Sequence, residues 1–314
     1  MTRRALVAYV TLAALWGTAF VATKAALFSF TPVVLAAFRF DVAAVCLFAV
    51  ALLAGRDIRP RGWGDWAPIL AGGVFNIGAH HALLFAGQQY VTAAVAATLL
   101  GLVPVVTPAF TRVFRPDDRL SVRGLVGVLV GFLGVVLIAS PDRSNLGVGL
   151  GVGLVLASAV AWVFGAVLTR EDDAALSGLS LQAWMLLAGA VSLHVAVVVL
   201  PGESLRSVAG VGTEALGWLL YLAVVPGALG FLLYFRLLDR LGPIQMGLVE
   251  YVIPPFAALF GWVVLGETLS ETTVYGFLTI LLAFLLVKGP ALRRSLRAWT
   301  ARRDRGGDVD PTGD

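Results

Sequence analysis

The sequence predicts an all-α polytopic membrane protein, with ten transmembrane helices arranged as a 5+5 inverted repeat. Three observations carry that prediction. First, the 314 residues are 59% hydrophobic and only 13% charged, with a mean hydropathy of +0.90, whereas a soluble domain carries about 25% charged residues. Second, the charges are clumped: residues 66–111, 144–169 and 174–202 contain no Asp, Glu, Lys or Arg. Apolar stretches of ~20 residues are what a roughly 30 Å hydrocarbon core demands of a helix. Third, residues 242–270 repeat the feature order of residues 92–121, with Pro104 answering Pro254 and Phe110 answering Phe260.

Ten spans fit, at 5–28, 32–54, 67–88, 91–113, 121–139, 148–169, 181–200, 216–240, 243–265 and 272–288. The first follows Met-Thr-Arg-Arg and is too long for the core of a signal peptide, so it is expected to be retained. Short connections rich in Gly, Pro, Asp and Ser separate the spans. The 35 glycines, including the alternating run at 147–153, read as helix-packing surface, because small residues let helices approach closely in lipid. Cys46 is the single cysteine, so no intramolecular disulfide forms.

Orientation follows from where the basic residues fall. With the amino terminus inside, 19 of the 23 Lys and Arg lie on inner segments and two, Arg143 and Arg206, on outer ones. This places a multi-pass protein in the cell membrane with both termini cytoplasmic. It also explains the net charge of +4 without nucleic acid: the arginine-rich tail at 291–314 is expected to meet anionic inner-leaflet lipid and then to lose structure in its acidic end.

The repeat covers nearly the whole chain, as units 1–145 and 146–290. At an offset of 146, Trp16 meets Trp162, Thr23 meets Thr169 and Lys24 meets Arg170; at 150, Leu83 meets Leu233 and Phe85 meets Phe235. Five spans per unit is an odd number, so the second unit lies inverted, and inverted repeats are an architecture of alternating access.

The run from Ala14 through Trp16, Gly17 and Lys24, then Pro32 and Ala37-Phe38-Arg39, resembles the first two helices of EamA-type carriers of the drug/metabolite transporter superfamily. Leu265-Gly266-Glu267 with Ser270 is similar to that family's repeat-end motif, although the first unit has Asp117 and Asp118 where the second has Gly266 and Glu267. The resemblance implies ten helices, with spans 1, 3, 4, 6, 8 and 9 around a central cavity. It also implies export or exchange of a small-molecule substrate, and no cofactor.

Ionisable groups at membrane depth cost about 2.5–3.5 kcal/mol on insertion scales, so each requires a reason. Glu250 is the leading candidate. Its helix face carries Gly247, Pro254, Ala257 and Gly261, and Leu100 takes its place in the first unit. Pro254 and Pro255 have no amide hydrogens and are expected to break the ninth span, as Pro104 breaks the fourth, freeing carbonyls beside Glu250. A carboxylate there could carry a proton. Arg39 suits a substrate carboxylate or phosphate; Asp41, two residues on, points to another face. His81, with its neighbour His80, and Asn76 one turn earlier are candidate cavity groups on the third span. Tyr251, Trp16 and Trp162 are candidate cavity walls or hydrogen-bonding partners. Lys24 is expected to snorkel from its helix end, and His194 to be structural. No metal-ligand spacing is present. The rival reading, a membrane-embedded transferase with metal held by Asp117, Asp118, Asp172 and Asp173 at the inner face, rests on adjacent aspartates alone.

Overall fold

The computed structural model describes residues 3–107, 122–139, 146–169, 174–241, 246 and 248–306. Among the described residues stand ten apolar helices: α1 Arg4–Ala26, α2 Pro32–Leu53, α3 Trp63–Gln88, α4 Ala93–Thr107, α5 Val122–Ile138, α6 Gly147–Leu168, α7 Gly178–Val199, α8 Thr213–Leu238, α9 Val249–Leu265 and α10 Glu271–Val287. The four shorter ones, α4, α5, α9 and α10, occupy matching places in the two halves. Asp117, Asp118, Asp172 and Asp173 lie outside the described residues.

Local chemistry sets the helix ends. Pro32 opens α2, where its missing amide costs nothing. Thr92 caps α4 by accepting from the Val95 amide at 3.2 Å, and Ser177 caps α7 by accepting from Ser180. Gly266 ends α9 in the left-handed region at φ 66°, a conformation that glycine adopts without strain. The last helix does not stop at the edge of its span but continues to Gly306. The boundary expected near 290 is therefore not a structural one: the basic segment extends the helix.

Packing relates the two halves reciprocally. Helices α2 and α7, α4 and α9, and α5 and α10 each pack against their own counterpart, while α1 lies on α8 and α9 as α6 lies on α3 and α4. Glycines bring two of these crossings, and that of α3 on α7, to backbone contact. A Cβ on Gly73 would stand 3.1 Å from the Gly189 amide nitrogen, one on Gly87 2.9 Å from Gly151 O, and one on Gly134 2.9 Å from Gly276 O. Of the run at 147–153, only Gly151 serves such a crossing; Gly149 and Gly153 face open space.

Two departures from regular helix occur at equivalent places. Helix α3 widens to π-helical turns at Gly72–Ala79, and α8 does so at Ala223–Leu229. The prolines behave differently from one half to the other. Helix α4 is interrupted at Gly101 and Leu102, two residues before Pro104. The break expected at Pro254 and Pro255 is absent, because α9 runs unbroken from Val249 to Leu265 with both prolines inside it. The proline φ is itself compatible with a helix. Helix α1 also supports this turn from outside: a Cβ on Gly17 would stand only 3.2 Å from Ile253 O and 3.1 Å from the Ala257 nitrogen.

Candidate transport site

Trp16 and Trp162 occupy corresponding places on α1 and α6, and each meets a π-helical segment of the other half. The Trp16 indole donates to Pro226 O at 3.3 Å, with its ring against Phe231 and Tyr234. On the other side the direction is reversed, and the Asn76 side-chain amide donates to Trp162 O at 2.7 Å. Asn76 and Pro226 are themselves separated by the 150-residue offset that relates the third spans. The duplication has kept the crossing and exchanged the donor. Beside the Trp16 crossing, the hydroxyls of Thr18 and Tyr221 lie 2.7 Å apart.

His80 and His81 are both buried. His80 Nδ1 lies 2.9 Å from Ser158 O and His81 Nδ1 3.0 Å from Ile77 O. A carbonyl only accepts, so each Nδ1 carries the proton. The Trp162 ring tilts over His80, and His81 packs edge-on to Phe40 and Phe85. Arg39 lies close by. It is 7% exposed, with its guanidinium carbon 4.8 Å from the Phe40 ring centre and 5.6 Å from that of Phe85. Its Nε is buried without a partner, and no described carboxylate pairs with it. Cation–π contact offsets part of the cost of burying this charge; a buried cation is otherwise paired.

Asp41 does not share that site. It pairs with His194 on α7, Nε2 to Oδ2 2.7 Å, and both side chains remain about a third exposed, at 37% and 32%. Val45, one turn on from Asp41, and Val191, one turn before His194, are exposed, and the Phe38 ring packs edge-on to His194. The histidine read as structural is thus the partner of the aspartate read as functional.

Glu250 sits in the first turn of α9, half-buried, within electrostatic reach of Tyr9 on α1 and of Tyr251. It has no hydrogen-bond partner among the described residues. Tyr251 turns away from it. Its hydroxyl donates to Gly101 O at 2.7 Å, so residue 251 of one half closes the interruption at its counterpart, residue 101, in the other. Arg39 and Glu250 form no ion pair.

Three carboxylates join the halves at the ends of the bundle. Glu203, beyond α7, accepts from the Thr31 hydroxyl and from the amides of Val33 and Val34 at the start of α2. At the opposite end Asp65 accepts from Arg61, Ala175 and Leu176 amides at 2.6, 2.8 and 3.0 Å. In the adjoining α2–α3 loop, the Arg59 amide and the Arg61 guanidinium hold the Asp57 carboxyl below the usual carboxylate range. The third is Glu267. Its Oε2 accepts from the Ala93 amide at 2.9 Å, and its Oε1 lies 3.4 Å from Lys24 Nζ, which donates to Val91 O. Lys24 therefore does not snorkel to the surface; a carbonyl and a carboxylate hold it at the helix ends. Sequence reading found Glu267 only as part of a motif, although Lys24 and Glu267 both close helices that finish at the same end of the bundle.

Ten apolar helices in two interlocked halves, with ionisable groups inside the spans, define a membrane transporter. The chain belongs to the EamA-like transporter family, whose model matches residues 3–140 and again 149–289. It is 28% identical over 272 residues to an uncharacterized transporter of Archaeoglobus fulgidus, covering 87% of this chain and 94% of the relative. It is 27% identical over 282 residues to the uncharacterized inner membrane transporter YedA of Escherichia coli, covering 87% of each. Protein PecM of Dickeya dadantii is 26% identical, over 88% of this chain and 90% of its own. A solved crystal structure superimposes with a TM-score of 0.60 over 91% of this chain and 98% of its own, at 22% identity, and so shares the fold.

Proposed function

We propose that this chain is a secondary carrier that exports a small metabolite, amino-acid-like or otherwise polar or amphipathic, by alternating access between the five-helix units 1–145 and 146–290. The reading is carried by the paired crossings at Trp16 on Pro226 and Asn76 on Trp162. Each joins the first helix of one half to a π-helical segment of the other. Such segments recur at functional sites, and two in equivalent places provide matching positions where one half can rock on the other.

Arg39 supports a cargo with an acidic group, since a carboxylate would supply the partner its buried Nε lacks among the described residues. Glu250 supports proton coupling, because a half-buried carboxylate without a hydrogen-bond partner among the described residues can accept a proton at small cost. The Lys and Arg distribution supports cytoplasmic termini, with the basic end of the last helix against anionic lipid. The test is transport in reconstituted vesicles across a panel of amino-acid-like solutes, with and without a pH gradient. Wild type is expected to respond to the gradient, and Glu250→Gln to keep solute exchange while losing that response. Gradient-driven transport by Glu250→Gln at the wild-type rate would end the proton role.

A further inference from the structure

The three carboxylate ties between the halves differ in how well they are satisfied. Glu203 and Asp65 each accept at least two backbone amides, which makes them static caps on the approaches to α2 and α7. Glu267 accepts one amide. Its Oε1 is buried and has no hydrogen bond, only the Lys24 ammonium at ion-pair distance. Its position is nevertheless built. Gly266, at φ 66°, turns the chain back over α9, and Gly261 leaves the space that the carboxylate fills: a Cβ there would stand 2.7 Å from Oε2. The three helix ends drawn together belong to α1, α4 and α9, all of which the family resemblance places around the transport cavity. A cavity of about 200 Å³, lined by Lys24, Leu27, Phe28, Gln88 and Gln89, adjoins the ammonium.

We propose that Lys24, Glu267 and the Ala93 amide form the outer gate of transport, closed in this structure and opened when Glu267 leaves Lys24. The gate rests on the carrier reading and on the charge distribution that puts this end outside. Ala97, one turn below Ala93 on α4, is 1% exposed and reports the opening.

The experiment replaces Cys46 by Ser and introduces Ala97→Cys. The thiol is then labelled in intact cells with a charged, membrane-impermeant methanethiosulfonate. With the gate intact, labelling is slow. Glu267→Gln and Gly261→Ala, which disturb the gate by different means, should each raise the rate at least tenfold, while Gly149→Ala, whose Cβ would meet nothing within 4 Å, should leave it unchanged. Monodisperse elution of each variant in detergent separates opening from misfolding. Vesicle transport is measured alongside. Faster labelling in Glu267→Gln and Gly261→Ala supports the gate even where no solute on the panel is moved, an outcome that counts against the carrier reading alone. Unchanged labelling in both, in a protein that transports, overturns the gate and leaves the carrier reading standing.

Discussion

Removing the Tyr251 hydroxyl isolates one contact between the halves. At the interruption of α4, Leu102 O accepts two amides, from Val105 at 2.9 Å and Val106 at 3.0 Å. The Val105 amide would have served Gly101 O in a regular helix, and Pro104 has no amide to offer. Gly101 O is left to the Tyr251 hydroxyl. Tyr251→Phe keeps the ring, including its 4.5 Å contact with Phe284, and strands a buried carbonyl. An unsatisfied buried group costs about 1–3 kcal/mol, while hydrogen bonds inside membrane bundles average about 0.6 kcal/mol; a loss of about 1 kcal/mol lies between. At about 2–4 °C per kcal/mol for chains of 150–250 residues, the unfolding midpoint in detergent should fall by about 2–4 °C. Amide exchange at residues 101–106 should quicken along with it. A Tyr251→Phe protein with wild-type midpoint and wild-type exchange there would refute the assignment.

Two further outcomes follow from geometry. Gly134→Ala would set a methyl 2.9 Å from Gly276 O and 2.7 Å from an Ile280 side-chain carbon, so α5 and α10 must part; overpacking of this kind costs about 1–3 kcal/mol. A midpoint drop of several degrees is expected, and an unchanged midpoint counts against the crossing. His194→Ala leaves Asp41 unpaired at membrane depth, a cost of about 2.5–3.5 kcal/mol on insertion scales. The double change with Asp41→Ala removes the stranded charge, so membrane-inserted yield should fall in the single variant and recover in the double. A double variant that fares worse than the single contradicts the pairing.

Properties set by composition and period were legible before the structure: the ten apolar helices, their matching halves and the packing role of many glycines. What lay hidden depends on contacts far apart in the chain. Nothing local at Asn76 announces a π-helical turn, and Pro226, which lacks an amide hydrogen, announces only a disturbed helix; the tryptophan helices that cross both segments lie far away in the chain. Pro254 and Pro255 read locally as a break, yet α9 runs helical through both, with α1 packed close against it at Gly17. Lys24 read as a snorkelling side chain because its partners, Val91 and Glu267, lie 67 and 243 residues away. Asp41 and His194 were weighed singly, and their meaning lies in the pair.

The contrast between shared and unshared features orders the mechanism. Shared between the halves are the crossings: tryptophan helix on π segment, counterpart on counterpart, glycine on glycine. These are what a two-fold relation needs if either half is to move against the other. Unshared are two of the ionisable groups inside the spans, Glu250 and Arg39. Glu250 answers Leu100. An uncharged counterpart at residue 100 removes any second proton position of the same kind, so a carrier driven through Glu250 has one titrating group per cycle at that level of the bundle. Arg39 strengthens the same asymmetry, because its counterpart at the 146-residue offset is Met185, which has no charge to offer an acidic cargo. Under the carrier reading, the shared crossings serve the motion of the halves, and the unshared Glu250 and Arg39 serve coupling and cargo.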